Sequence, residues 1–279
     1  MAATQIAENL AYINWTVLAG LALGTYAAVV LLGRRTSATR GYLGFVTACA
    51  IGFGLLAWLS DGALPGTLGA SPVVPDPAFD VPRRAALAAF VALGLVALIA
   101  RRASANAGSF LEVAAVTAGA LTVVFGALGW GGGPIGAAAL LVQLAVLFAA
   151  TGGVFAAMIL GHWYLVTPKL PEAPLILIAR LLLAVMAIQV VLFVAWMVVG
   201  AGPADPAPFG ALTGEWALFV WLRLIVGLIF PLVVSWAAVQ TARTRSMESA
   251  TGLLYINVGT IAAGTILAAG LYFGAGLLV

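Results

Sequence analysis

Eight apolar runs, each bounded by charge, proline or glycine, leave this 279-residue chain few folds to choose from. They lie near 10–33, 42–60, 84–100, 110–129, 135–161, 174–200, 215–240 and 251–277. A helix needs roughly 20 apolar residues to cross the hydrocarbon of a bilayer. In lipid, backbone N–H and C=O groups must bond within the protein, so only helices and closed barrels can span. None of the runs shows the polar–apolar alternation of a barrel strand. The sequence therefore predicts an all-α, polytopic integral membrane bundle of about eight transmembrane helices, a single domain over 1–279.

Composition agrees. Charged residues make up 8% of the chain, against about 25% in a soluble domain, and mean hydropathy is +1.16. Although the net charge is +3, the cations are scattered between runs and form no patch, which excludes a nucleic-acid partner. One cysteine, Cys49, excludes a disulfide or thiolate cluster within the chain. The start, MAATQIAENLAYINW, lacks a positive n-region and a cleavage site and reads as part of the mature protein. The bias toward Ala, Gly and Val points to a high-GC bacterium, and so to a bacterial cytoplasmic (inner) membrane.

Orientation follows from the loops. The odd connections hold Arg34, Arg35, Arg40, Arg101, Arg102, Lys169, Arg243 and Arg245, whereas the even ones hold only Arg83 and Arg84. By the positive-inside rule the odd loops are cytoplasmic, and the N-terminus and C-terminus both lie outside. Two even loops, 61–83 and 200–214, are rich in proline and glycine and carry Asp61, Asp76, Asp80 and Asp205. They read as ordinary connections, with a joint cap or docking surface as the alternative.

Ionisable groups within a membrane are the default functional candidates because placing them there is costly. Glu112 is the plainest: Ser109-Phe-Leu-Glu112 has the spacing of a capping box at the start of the fourth run. His162 opens a more distinctive stretch, with Trp163 and Tyr164 beside it and three prolines after it. An imidazole among aromatics suits a quinone headgroup or a proton relay, and an interfacial aromatic belt is the structural alternative. With one histidine in the chain, a bis-histidine haem within one chain is excluded. Arg180, about 9 Å into the sixth run, is expected to snorkel or to grip an anion near His162. These four residues, His162, Trp163, Tyr164 and Arg180, form the candidate cofactor site.

A second set marks a candidate solute path. Arg223 lies about 10 Å into the seventh run, and Pro231 removes a backbone donor eight residues later. Asn257, Thr260 and Gly264 share one face of the eighth run. Asn257 and Thr260, with Asn14, Thr25, Gln143, Gln189, Ser235 and Gln240, read first as interhelical hydrogen-bond partners, on the order of 0.6 kcal/mol each, with a solute path as the alternative. Gly20 and Gly24, like Gly270 and Gly274, have the spacing that lets helices pack closely. The pair Gly24-Thr-Tyr-Ala-Ala and Gly153-Val-Phe-Ala-Ala is too short to define a repeat.

No phosphate-binding loop, metalloprotease histidine pair or nucleophile elbow occurs. Two functions stay open. One is a quinone-contacting or anchoring subunit of a redox or respiratory assembly, with the lipid bilayer and other membrane or peripheral subunits as partners. The other is a transporter or channel for a small or hydrophobic solute, with Arg223 and the Pro231 kink lining the path. An enzyme acting on lipid headgroups ranks behind both.

Overall fold

The computed structural model describes residues 2–103, 105–167 and 169–279, the side chains of 102–107 excepted. Among the described residues there is no strand, and eight helices are long and apolar enough to cross a membrane. The spans are Leu10–Arg35, Arg40–Asp61, Pro77–Arg101, Gly108–Trp130, Pro134–Val166, Ala173–Val199, Ala217–Arg243 and Met247–Ala275. The protein is thus a multi-pass membrane protein, and each expected run is present. Prolines start helices where their missing N–H costs nothing, as at Pro134 and Pro174. Gly200 and Gly276 end the sixth and eighth spans in the left-handed conformation, with φ of 64° and 66°.

Span five is the hub, packed against spans one, four, six and eight. Helices in lipid are held by close packing and hydrogen bonds rather than by a hydrophobic drive, and the hub shows both. Gly24 of span one sits directly on the backbone of Phe148 and Gly152. Thr25 Oγ1 donates to the Gly152 carbonyl at 3.2 Å. One residue along span five, Thr151 shares a 2.7 Å hydrogen bond with Thr265 of span eight. Next to Thr265, Gly264 meets Gly227 of span seven so closely that a Cβ on either would lie 2.7 Å from the other's Cα. A belt of glycine and threonine thus runs through spans one, five, eight and seven. At each glycine crossing of this belt the helix opens into a π-helical turn, Gly20–Gly24 in span one and Ile225–Ile229 in span seven.

The even-loop end is closed by more than simple connections. Residues 62–76 fold over the bundle, with Leu68 and Val73 buried, Asp76 N donating to Gly129 O, and Tyr12 Oη donating to Pro65 O at 2.6 Å. The 200–214 loop meets the same region, where Ala204 N donates to Gly276 O and Pro72 lies against Gly276. The two proline-rich loops therefore form a joint cap, which corrects their reading as ordinary connections. Their backbone N–H groups donate to carbonyls at helix ends, Asp76 to Gly129 and Ala204 to Gly276, a pairing that loop composition alone does not display. Residues 277–279 turn inward, and Gln143 Nε2 donates to Val279 O at 2.8 Å while Gln143 Oε1 accepts from Trp196 Nε1.

A second correction concerns Glu112. The helix holding it already starts at Ala105, so Ser109 lies past its first turn and caps nothing. Glu112 instead pairs with Arg101 at 2.9 Å, and Ser109 accepts from Arg34 Nη2 through both its carbonyl and its hydroxyl. The capping box failed as a guide because the polar segment before the apolar run is itself helical.

Candidate functional site

The His162 corner lies at the end of span five that faces the odd loops. His162 is exposed, and its Nδ1 is 3.3 Å from Tyr255 Oη. Trp163 is half-buried and meets Tyr42 edge-on, with ring centroids 6.3 Å apart. Tyr164 is buried and its hydroxyl donates to the carbonyl of Pro171, tying the proline-rich loop back onto the helix. Arg180 is exposed on span six, and no hydrogen bond or ion pair joins it to His162 among the described residues. The four residues are thus an interfacial corner, one part tied down and two parts open to solvent or headgroups.

Arg223 is different. It is 1% exposed, with Nη2 donating to Gln189 Oε1 at 2.5 Å and Nη1 to Gly227 O at 3.2 Å, while Nε has no partner. Sequence explains one of these contacts. Pro231 has no N–H, so the carbonyl of Gly227, four residues back, loses its ordinary helical donor. The guanidinium supplies one. The packing of Gly227 on Gly264 makes the room, since a Cβ on Gly264 would lie 2.9 Å from Arg223 Nη1.

Asn257 is fully buried and donates to Ser235 Oγ at 2.8 Å and to Pro231 O at 3.4 Å. Thr260, half-buried, bonds back to its own helix at Asn257 O. Pro231 and Asn257 therefore tie spans seven and eight, whereas Arg223 ties span seven to Gln189 of span six. Gln143 and Gln189 are also interhelical partners, as expected, whereas Asn14 is exposed.

Two features escaped sequence reading. The first is a buried charge cluster at the even-loop end. Arg83 donates through Nε to Asp61 Oδ2 at 2.8 Å and through Nη1 to Asp80 Oδ1 at 2.8 Å. Its guanidinium lies 4.7 Å from the Trp130 ring centroid and 5.8 Å from that of Trp15. Tyr12 and Phe273 complete the aromatic surround. A polar cleft of about 230 Å³ opens beside Asp61, Asp80, Arg83 and Arg84. The pairing joins residues 22 apart across the long loop. Only the i,i+3 spacing of Asp80 and Arg83 hinted at it.

The second is an apolar cleft, also of about 230 Å³, between spans one, three, four and five. Leu23, Gly24, Tyr26 and Ala27 line it from span one, Phe90 from span three, Val116, Gly119, Ala120 and Val123 from span four, and Ala145, Phe148 and Ala149 from span five. Ala27, Ala120, Ala145 and Ala149 are exposed, so the cleft opens sideways toward lipid. Tyr26, 1% exposed, packs edge-on against Phe90, and its buried hydroxyl has no partner. The π-helical turn Gly20–Gly24 ends just before Tyr26. Small residues at helix crossings signal close packing, but a gap between four helices has no sequence signature. Comparison with protein-family models, curated proteins and solved structures found no match for the chain.

Proposed function

We propose that this protein is the membrane-embedded, quinone-contacting subunit of a redox or respiratory assembly in a bacterial cytoplasmic membrane. The observation that carries the proposal is that each buried ionised side chain is held by a neighbour of its own. Arg83 is held by Asp61 and Asp80, Glu112 by Arg101, and Arg223 by Gln189 and Gly227. A pump needs titratable groups lining a water-filled route between the faces. Here the buried groups are tied pairwise to their own neighbours, which fits a static framework served by partner subunits. The exposed His162 corner and the loop cap offer those partners a surface at each end.

The test is quinone-dependent electron transfer in native membranes, together with the size of the complex in mild detergent. Loss of the protein is expected to lower electron transfer several-fold, and the chain is expected to migrate with at least one redox-active partner. Unchanged transfer, with the chain migrating alone, overturns the proposal. His162→Ala is expected to leave transfer within about twofold, as for an exposed position away from buried contacts.

A transport role is the second reading, favoured by one observation: the π-helical turn Ile225–Ile229 begins two residues after Arg223, and such turns are frequent at functional sites. Under the first reading Arg223 is a structural tie. Arg223→Met then costs about 2 kcal/mol, because the Gln189 and Gly227 oxygens lose a buried donor, and solute uptake by proteoliposomes does not change. A loss of uptake in folded Arg223→Lys protein favours transport instead.

A further inference from the structure

We infer that the polar cleft at the even-loop end binds an ethanolamine phosphate group, with Arg84 holding the phosphate and Asp80 the ammonium. The inference is independent of the quinone-contacting reading, because it rests on charges where spans two and three meet the long loop.

Two acids and two arginines line the cleft, Asp61, Asp80, Arg83 and Arg84, so it is neutral as a whole. The charge is unevenly settled. Arg83 gives Nε and Nη2 to the two oxygens of Asp61, and that pair is closed on itself. Asp80 receives only Nη1 of the same guanidinium, on Oδ1, and its side chain stays 46% exposed. Arg84 has no ion pair among the described residues. Asp80 and Arg84 are four residues apart on one helix, a spacing at which opposite charges ordinarily meet. Here each is drawn away. Arg83 holds Asp80, while the Arg84 guanidinium lies 5.0 Å from the Trp58 ring centroid and against Gly62, where a Cβ would come within 2.6 Å of Nη1. A cation and an anion, each with hydrogen-bonding capacity to spare, are thus held apart at a cleft of about 230 Å³. A ligand of one charge satisfies one of them and repels the other. A zwitterion completes both.

Chemistry and position select the zwitterion. The planar guanidinium matches the oxygens of a phosphate two at a time. A carboxylate accepts N–H donors, so the cation is a primary ammonium; a quaternary one offers none. Span two ends at Asp61, and Asp80 and Arg84 lie in the first turns of span three, which puts the cleft at headgroup level. Leu55 and Leu59 of span two and Val81 of span three are exposed, an apolar surface on which acyl chains can lie. Of the common headgroup chemistries, choline phosphate has no N–H on its cation and glycerol phosphate has no cation. Ethanolamine phosphate has both parts. Its size is also right, since the cleft is smaller than the roughly 300–1,000 Å³ of sites for drug-sized ligands.

The experiment uses the full chain in detergent, stripped of lipid, with short-chain phosphatidylethanolamine, phosphatidylcholine and phosphatidylglycerol as probes. Phosphatidylethanolamine is expected to bind at least about tenfold more tightly than the other two, the worth of one charge-assisted hydrogen bond. Arg84→Gln is expected to weaken it by a similar factor. Asp80→Asn is expected to bring it down to the affinity of phosphatidylcholine. Free phosphoethanolamine, added in competition, identifies the source. Displacement of the lipid at comparable concentration shows that the headgroup alone is recognised, and displacement only at far higher concentration shows that the chains on Leu55 and Leu59 contribute; both outcomes keep the site. Equal affinity for the three lipids, or an unchanged affinity for phosphatidylethanolamine in Arg84→Gln, overturns the inference. Should Asp80→Asn fail to fold, because Asp80 also holds Arg83, Arg84→Gln decides alone, since Arg84 is exposed and outside that ion pair.

Discussion

Gly152→Val is expected to be the most damaging single substitution in the membrane core. A Cβ at Gly152 would lie 2.0 Å from Thr25 N, and one at Gly24 would lie 1.8 Å from Phe148 O. The obstructing atoms are backbone, so no rotamer change relieves the clash and spans one and five must separate. That separation also breaks the Thr25–Gly152 hydrogen bond and disturbs Thr151–Thr265 beside it. The cost is expected to reach roughly 4 kcal/mol, the level reserved for severe packing defects. An apparent Tm lower by about 10 °C, read as loss of the monodisperse species on heating in detergent, is the corresponding signal. Gly259 supplies the control: it lies mid-helix with nothing within 4 Å of a new Cβ. Gly259→Ala should be neutral or stabilising by up to about 1 kcal/mol, from helix propensity alone. If Gly152→Val is as well tolerated as Gly259→Ala, the glycine crossing is not what holds the hub together.

Asp61→Ala ranks next. Asp61 and Arg83 are each 2% exposed at the side chain, so removing the carboxylate leaves a guanidinium buried among Trp15 and Trp130 with only Asp80, half-exposed, as counter-charge. Breaking a buried pair from one side costs about 3–5 kcal/mol. Replacing both partners by apolar groups is far milder, because no charge is stranded. Asp61→Leu combined with Arg83→Met should therefore recover more than half of the stability lost by Asp61→Ala. The same thermal assay checks this, and a double variant no better than the single one would sink the argument. The cluster closes the even-loop end, where Tyr12, Pro65 and Asp76 already tie the long loop to the bundle. Weakening it should release that loop to proteolysis before the spans themselves are lost.

How far the sequence reaches can be judged from individual residues. Every span was legible, because the demand that backbone groups be satisfied in lipid acts locally, along each run. The ends were less so. The third and fourth helices begin at Asp80 and Ala105, upstream of their apolar runs, and the fifth continues to Val166 through the His162 corner. Interfacial turns can be helical without being apolar, so hydropathy does not see them. The polar interhelical partners were legible too: Gln143, Gln189, Ser235 and Asn257 all bond across helices. Their partners were not, since these hydrogen bonds between spans join residues 22 to 53 positions apart.

The two residues that drew most attention in the sequence, His162 and Arg223, met opposite environments. Nothing local to either distinguishes the exposed imidazole from the buried guanidinium. Which helices flank them decides it, and that depends on Gly227 meeting Gly264 and on Tyr164 tying its loop to the helix. Tyr26 gave no signal at all. A tyrosine in an apolar run reads as packing, and only the tertiary packing around it leaves its buried hydroxyl without a partner. Sequence alone thus determined the membrane location, the span count and the positions of the polar groups, because lipid imposes its rules one helix at a time. Tertiary structure alone decided which polar groups are closed off and where a cavity remains, because both depend on how closely pairs of helices approach.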